Sequence, residues 1–160
     1  MSYRNTASFG KRAEYFVIAQ MLKEGLDCYI PLVDDNGIDV VVRRDDKSFV
    51  MVQIKARSKN VKEGNAGSFG ALIHEQKRDN YFFVFYSERM QKSNNDPFYW
   101  ILSSEEFLNE AQTNNGGKNK GKKFIKFNGY KKNHLTGIKE EYTKERYIKY
   151  VYKDFCRIFE

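Results

Sequence analysis

The chain has 160 residues, enough for one domain with a proper core and too few for a second full one, so residues 1–160 read as a single domain. It carries 28 Lys and Arg against 21 Asp and Glu, a net charge of +7, and is rich in Phe and Tyr. Its two cysteines, Cys28 and Cys156, are too few for a disulfide framework and match no zinc-binding spacing, which points to reduced thiols.

The opening residues lack the apolar run of a signal peptide, and no stretch reaches the ~18 apolar residues of a membrane span, so the expectation is a cytoplasmic protein with no membrane partner. Residues 8–25 read as an amphipathic helix. Ser8 offers a cap, Gly25 an end, and Phe9, Ala13, Phe16, Val17 and Met21 recur at helical spacing. Pro31 cannot donate to a ladder, which makes residues 28–33 a short edge strand. Asp34, Asp35, Asn36 and Gly37 are turn residues. The β-branched run at 38–43, a turn at 44–47 and the apolar run at 49–56 form a hairpin.

A polar loop with three glycines spans 57–70, and a helix over 71–80 precedes a confident strand over 81–86. After a second polar loop at 87–97 come a strand over 98–102 and a helix capped by Ser103 or Ser104, with Glu105 and Glu106 in its first turn. Residues 114–123 read as flexible and 124–127 as a last short strand. Residues 139–159 read as a terminal helix whose aromatic second half is also compatible with a strand. The order gives an α/β fold, a mixed central sheet flanked by helices with an α-β-β-β-α-β core at about 8–113 and an extension at about 114–160.

The charge is uneven along that order. Residues 1–113 balance at −1, whereas residues 114–160 hold 13 Lys and Arg against 5 Asp and Glu. Clustered positive charge gains affinity for phosphate backbones through counterion release, although it also serves solubility.

The second strand of the hairpin carries the first chemical signal. Side chains alternate along a strand, so Phe49, Met51, Gln53 and Lys55 share one face and Val50, Val52 and Ile54 the other. Gln53 and Lys55 thus interrupt an apolar strand on a single face, and polar groups buried there without partners would cost roughly 1–3 kcal/mol each. Asp39 opens the neighbouring strand. A carboxylate there would meet Lys55 and supply half of a hard-cation site. Glu14 borders the apolar stripe of the first helix and could reach the same sheet edge. Taken singly, Asp39 is a turn residue, Glu14 a solvated acid and Lys55 a lysine reaching for solvent; their conjunction is what carries weight.

The segments Gly10-Lys11-Arg12-Ala13-Glu14, Gly37-Ile38-Asp39 and Gln53-Ile54-Lys55, in that order, resemble the PD-(D/E)XK nuclease superfamily, which includes restriction endonuclease-like and Holliday-junction-resolvase-like proteins. The resemblance covers roughly the first half of the chain, through the strand at 81–86. It implies a restriction endonuclease-like fold and hydrolysis of the DNA backbone with Mg²⁺, or Mn²⁺ in its place. Asp39 would ligate the metal, Gln53 would stand where a second carboxylate usually is, and the Ile54 carbonyl and Glu14 would complete the shell. Lys55 would position the attacking water or stabilise charge on the phosphate. Gln53 removes one negative charge from the usual set, so a nuclease-fold binding module without catalysis is the alternative.

For nucleic-acid contact the candidates are Arg57, Lys59 and Lys62 in the loop after the Gln-x-Lys strand, and Lys118, Lys120, Lys122 and Lys123 in the basic extension. DNA is the expected partner, RNA an alternative, and a homodimer is compatible with the Tyr-rich tail. His74 and His134 are isolated and receive no metal or catalytic role, and Trp100 reads as core.

Overall fold

The computed structural model describes residues 6–33, 36–93 and 95–160. In chain order it runs α1 (Thr6–Lys23), β1 (Cys28–Tyr29), β2 (Val40–Arg43), β3 (Phe49–Arg57), β4 (Ser68–Leu72), β5 (Tyr81–Ser87), β6 (Tyr99–Ser103), α2 (Ser104–Glu110), β7 (Gln112–Thr113), β8 (Lys123–Lys126), β9 (Asn128–Lys132), β10 (Lys139–Thr143) and β11 (Val151–Tyr152). Short 3₁₀ turns lie at Gly117–Asn119, Glu145–Tyr150 and Cys156–Phe159. The main sheet is mixed, in the order β1-β2-β3-β5-β6-β11, with β3 and β5 parallel and the other neighbours antiparallel. A three-stranded sheet, β4-β8-β7, and a two-stranded ribbon, β9-β10, complete it.

Helix α1 closes with its orphan carbonyls satisfied. Leu26 donates to the Met21 carbonyl and Gly25 to that of Leu22, and Gly25 takes the positive φ of 87° that this end requires. The helix buries Ala13, Val17, Ile18 and Met21 against Val40, Val42, Val50, Val52 and Ile54 on one face of the sheet. The other face carries an aromatic layer, in which Phe83, Phe85, Trp100 and Leu102 meet Phe69, Leu72, Ile125 and Phe127 of the small sheet and Phe107 of α2. Because β5 is covered on both sides, all seven of its residues are buried, and it shows no alternation.

These two layers fix the register of the hairpin. Val40 faces Val52 and Val42 faces Val50, all four fully buried. A one-residue slip would turn them out of the core at roughly 1.5 kcal/mol or more each, and would turn Gln53 and Lys55 under α1.

Several expectations are corrected. Residues 71–80 form no helix, although Ala, Leu, Glu, Gln, Lys and Arg there have high helix propensity. Ala71 sits at φ 58°, Leu72 pairs with Lys123, and the backbone N–H of Arg78 donates to Ser104 Oγ at 2.8 Å, so tertiary partners override propensity. The stretch 139–159 is not a helix but β10, a 3₁₀ turn, β11 and a second 3₁₀ turn, with Tyr147, Tyr150, Phe155 and Ile158 buried as separate anchors. The edge strand at 28–33 shrinks to Cys28–Tyr29, and the loop at 57–70 ends in β4. Segment 114–123 is an ordered turn, in which Asn114 donates to the Lys122 carbonyl and accepts from Gly121. Helix α1 starts at Thr6, so Ser8 lies inside it, and Asp34 and Asp35 of the expected turn lie outside the described residues. Ser103 caps α2 in a full capping box with Glu106, and Trp100 is fully buried. Among the described residues no helix is long and apolar enough to cross a membrane.

Candidate active site

Strand β2 begins at Val40, so beyond that point β3 lacks a ladder partner on the β2 side. Asp39 fills the gap with both its backbone and its side chain. Its N–H donates to the Val52 carbonyl at 2.9 Å, and its Oδ2 accepts the Ile54 N–H at 2.6 Å in a buried bond. The residue is only 8% exposed. A carboxylate accepting a backbone N–H in a dry setting is held in one orientation, which a ligand must be.

Gln53, the next position across from Asp39, is half-buried and held from two sides. The Tyr81 hydroxyl donates to the Gly37 carbonyl at 2.6 Å and lies 3.2 Å from Gln53 Oε1. Gly37 has φ 66°, and a Cβ there would stand 2.6 Å from Gln53 Nε2, so a larger residue would strain the turn and push the amide aside. Burial pushes the Tyr81 phenol up to about 12; the nearby Arg78 cation works against that shift and the Asp39 carboxylate with it. The hydroxyl therefore stays a donor at neutral pH.

Lys55 lies two residues further along the same face of β3 and is half-buried. Among the described residues it makes no hydrogen bond or ion pair, so the expected direct pairing with Asp39 is absent. Gln53 and Lys55 open together onto a cleft of about 770 Å³, lined also by Asn36, Gly37 and residues 71–78. Glu14 comes from α1, which packs on the opposite face of β3; its side chain is 13% exposed and pairs with Lys11 at 2.9 Å.

The structure thus joins Asp39 and Gln53 across adjacent strands, places Lys55 on the same face as Gln53, and sets Glu14 on the helix behind them. Arg57 is half-buried at the end of β3, where its Nε donates to the Ser68 carbonyl and burial pushes its pKa down. Lys59, Lys62, Lys118 and Lys120 are exposed. Lys122 and Lys123 are half-buried, with Lys123 Nζ donating to Thr113 Oγ1 at 2.9 Å.

Two residues at the cleft carry no sequence expectation. Tyr81 opens an otherwise apolar strand, and a phenol buried there must find an acceptor, which was the available signal. Arg78 stacks its guanidinium 4.0 Å over the Tyr81 ring and donates from Nη1 to the Asn36 carbonyl at 2.8 Å. His74 is buried and structural: its Nε2 is hydrogen-bonded to Ser104 Oγ at 2.7 Å and its ring stacks on Tyr81.

Residues 7–95 match a family model described as restriction endonuclease, a span that takes in Glu14, Asp39, Gln53, Lys55, Tyr81 and the residues lining the cleft. No curated protein matches. Among solved structures the chain is similar to a bacterial homing endonuclease, I-Ssp6803I, at 19% identity and a TM-score of 0.57, over 92% of this chain and 89% of that one. At that identity the likeness speaks for the fold alone.

Proposed function

The chain belongs to the restriction endonuclease family, and from that premise we propose that it is a divalent-metal-dependent endonuclease that hydrolyses phosphodiester bonds of DNA. The observation that supports this most is the buried Asp39 carboxylate fixed on the Ile54 amide, across from Gln53, which opens with Lys55 onto a cleft.

The donors suit a hard cation. Asp39 offers a carboxylate, Gln53 an amide oxygen and Ile54 a backbone carbonyl, and Glu14 is the acid on the helix behind β3 that would act through water. Among the described residues no three His, Cys, Asp or Glu cluster as a metal cage. Mg²⁺ takes one or two carboxylates and keeps several waters, so a sparse oxygen set fits it better than it fits a soft metal. Such an ion, Mg²⁺ or Mn²⁺, would supply Lewis acidity toward the phosphoryl group and the attacking water.

The chain's own residues do the rest. Asp39 and Gln53 orient the water and the phosphate oxygens. The Lys55 ammonium faces the cleft with no ion-pair partner among the described residues and stabilises the negative charge that builds on phosphorus oxygens as water attacks and the sugar oxygen leaves. Lys59 and Lys62 after β3, with Lys118 and Lys120 further on, add sequence-independent contacts to the backbone.

The neutral Gln53 favours one second reading, a nuclease-fold module that binds DNA without cutting it. Incubating supercoiled plasmid with the full chain and Mg²⁺ or Mn²⁺ separates the two. Nicking that disappears in Asp39→Asn and Lys55→Ala supports the enzyme; salt-dependent binding with no metal effect and no nicking supports the module and ends the catalytic reading.

A further inference from the structure

The geometry points to Arg78 as a substrate-binding residue that grips a backbone phosphate other than the scissile one. This inference rests on the DNA-cleaving reading above.

Arg78 lines the same cleft as Gln53 and Lys55. Its guanidinium is held on three sides by neutral groups. The plane stacks on Tyr81, Nη1 donates to the Asn36 carbonyl, and Nη2 has only the Met51 sulfur, a weak acceptor, at 3.9 Å. The main chain is pinned as well, through the Arg78 N–H to Ser104 Oγ. No described carboxylate pairs with it. Among the described residues Arg43, Arg89, Arg146 and Arg157 are balanced by Asp27, Glu141, Glu110 and Glu106; Arg44 and Arg57 also have neutral partners, but they do not line this cleft.

A half-buried, immobilised cation with neutral partners is incomplete until an anion arrives. A phosphate oxygen would meet Nη2 in a charge-assisted bond, and the planar fork is already oriented, so little rotamer freedom is lost on binding. Tyr81 links the guanidinium to the reacting centre, since its ring carries Arg78 and its hydroxyl touches Gly37 and Gln53. With its guanidinium against Met51, four residues before Lys55 on β3, Arg78 would engage a different phosphate of the same bound backbone from the one at Lys55. The cleft wall itself is unusual, because Ala71 holds φ 58°, a conformation that a residue with a Cβ avoids.

The competing role is structural, with Arg78 as a clip between the 36–37 turn and the 71–80 segment. Salt dependence separates the two. Binding of a fluorescein-labelled random duplex is measured by anisotropy across a salt series, with Ca²⁺ in place of Mg²⁺ to suppress hydrolysis, for the full-length wild type, Arg78→Gln and Arg78→Lys. A phosphate contact predicts about tenfold weaker binding for Arg78→Gln and a log–log salt slope reduced by about one. Arg78→Lys restores the slope but only part of the affinity. An unchanged slope in Arg78→Gln overturns the inference, as does equal loss of slope in both variants. If wild type cleaves plasmid and the slopes coincide, Arg78 alone is misassigned; if wild type neither binds nor cleaves DNA, the nuclease reading falls with it.

Discussion

Asp39 does two things that can be separated by substitution. Its carboxylate satisfies the buried Ile54 N–H at 2.6 Å, a structural task, and in the proposed reaction it would present negative charge to the metal, a chemical one. Asp39→Ala removes both. The Ile54 donor is then buried with no acceptor, at a cost of about 1–3 kcal/mol. For a chain of this size each kcal/mol moves Tm by about 2–4 °C, so the loss is on the order of 5 °C. Asp39→Asn keeps an oxygen for the Ile54 N–H and loses only the charge assistance of that bond, about 1 kcal/mol. Cleavage, by contrast, falls in both variants by roughly two orders of magnitude or more, the scale seen when a group aimed at transition-state charge is removed. Urea unfolding followed by circular dichroism gives the first quantity, and initial rates of plasmid nicking the second. The reasoning is refuted if the two variants are equally destabilised, since the bond to Ile54 would then contribute nothing. It is refuted differently if Asp39→Asn nicks at the wild-type rate, because the charge would then be idle.

Gly37→Ala puts a Cβ at φ 66° and 2.6 Å from Gln53 Nε2. The backbone cost is about 1–2 kcal/mol, and the collision is with the movable end of Gln53. The fold should therefore survive with a Tm lowered by several degrees while nicking drops sharply; unchanged nicking would count against Gln53 as a site residue. Gln53→Glu adds a second carboxylate in a place already facing the Tyr81 hydroxyl, so the Mg²⁺ concentration for half-maximal nicking should fall. A titration that overlays the wild-type curve would remove Gln53 from the metal shell. Burial, assisted by Arg78, holds His74 below its ordinary pKa of 6.5. As pH drops through 6.5 the unfolded chain protonates first, so His74 makes stability fall with pH down to its folded pKa and is without effect above 6.5. Urea midpoints at pH 7.5 and 5.5 should differ less in His74→Gln than in wild type; equal differences would show that His74 does not titrate on unfolding.

Much of this was legible in the sequence, for identifiable reasons. The hairpin at 38–56 was readable because a β-branched run and an apolar run are divided by a turn, and the register follows from the valines. Helix α1 was readable from its apolar spacing and from Gly25. The segment at 71–80 was not, because its composition favours helix while the contacts that decide its shape lie far away in sequence, at Ser104, Lys123 and Asn36. The stretch at 139–159 failed for a related reason: Tyr147, Tyr150 and Phe155 are spaced in a way a helix would tolerate, yet each is anchored to a different partner. Arg78 and Tyr81 belong to the same class, since nothing local marks a stacked pair formed across the start of a strand.

The polar face of β3 shows why a site can exist in this fold at all. On the α1 side, Val50, Val52 and Ile54 are sealed under the helix, and no polar side chain interrupts them. On the other side the aromatic layer covers β5 and β6 but engages β3 only through the partly buried Met51. Gln53 and Lys55 therefore stand where the second layer stops, half-buried, with a cleft in front of them and a sealed core behind. Deeper placement would cost the unpaired ammonium its hydration, and full exposure would surrender the water-poor setting that strengthens its pull on a phosphate. The segment at 71–80 lies across this boundary as a wall rather than a lid of packed helix, which keeps the cleft open while Arg78 and His74 fix its shape. A helix there, as propensity alone would have it, could not have left Arg78 both pinned through Ser104 and stacked on Tyr81.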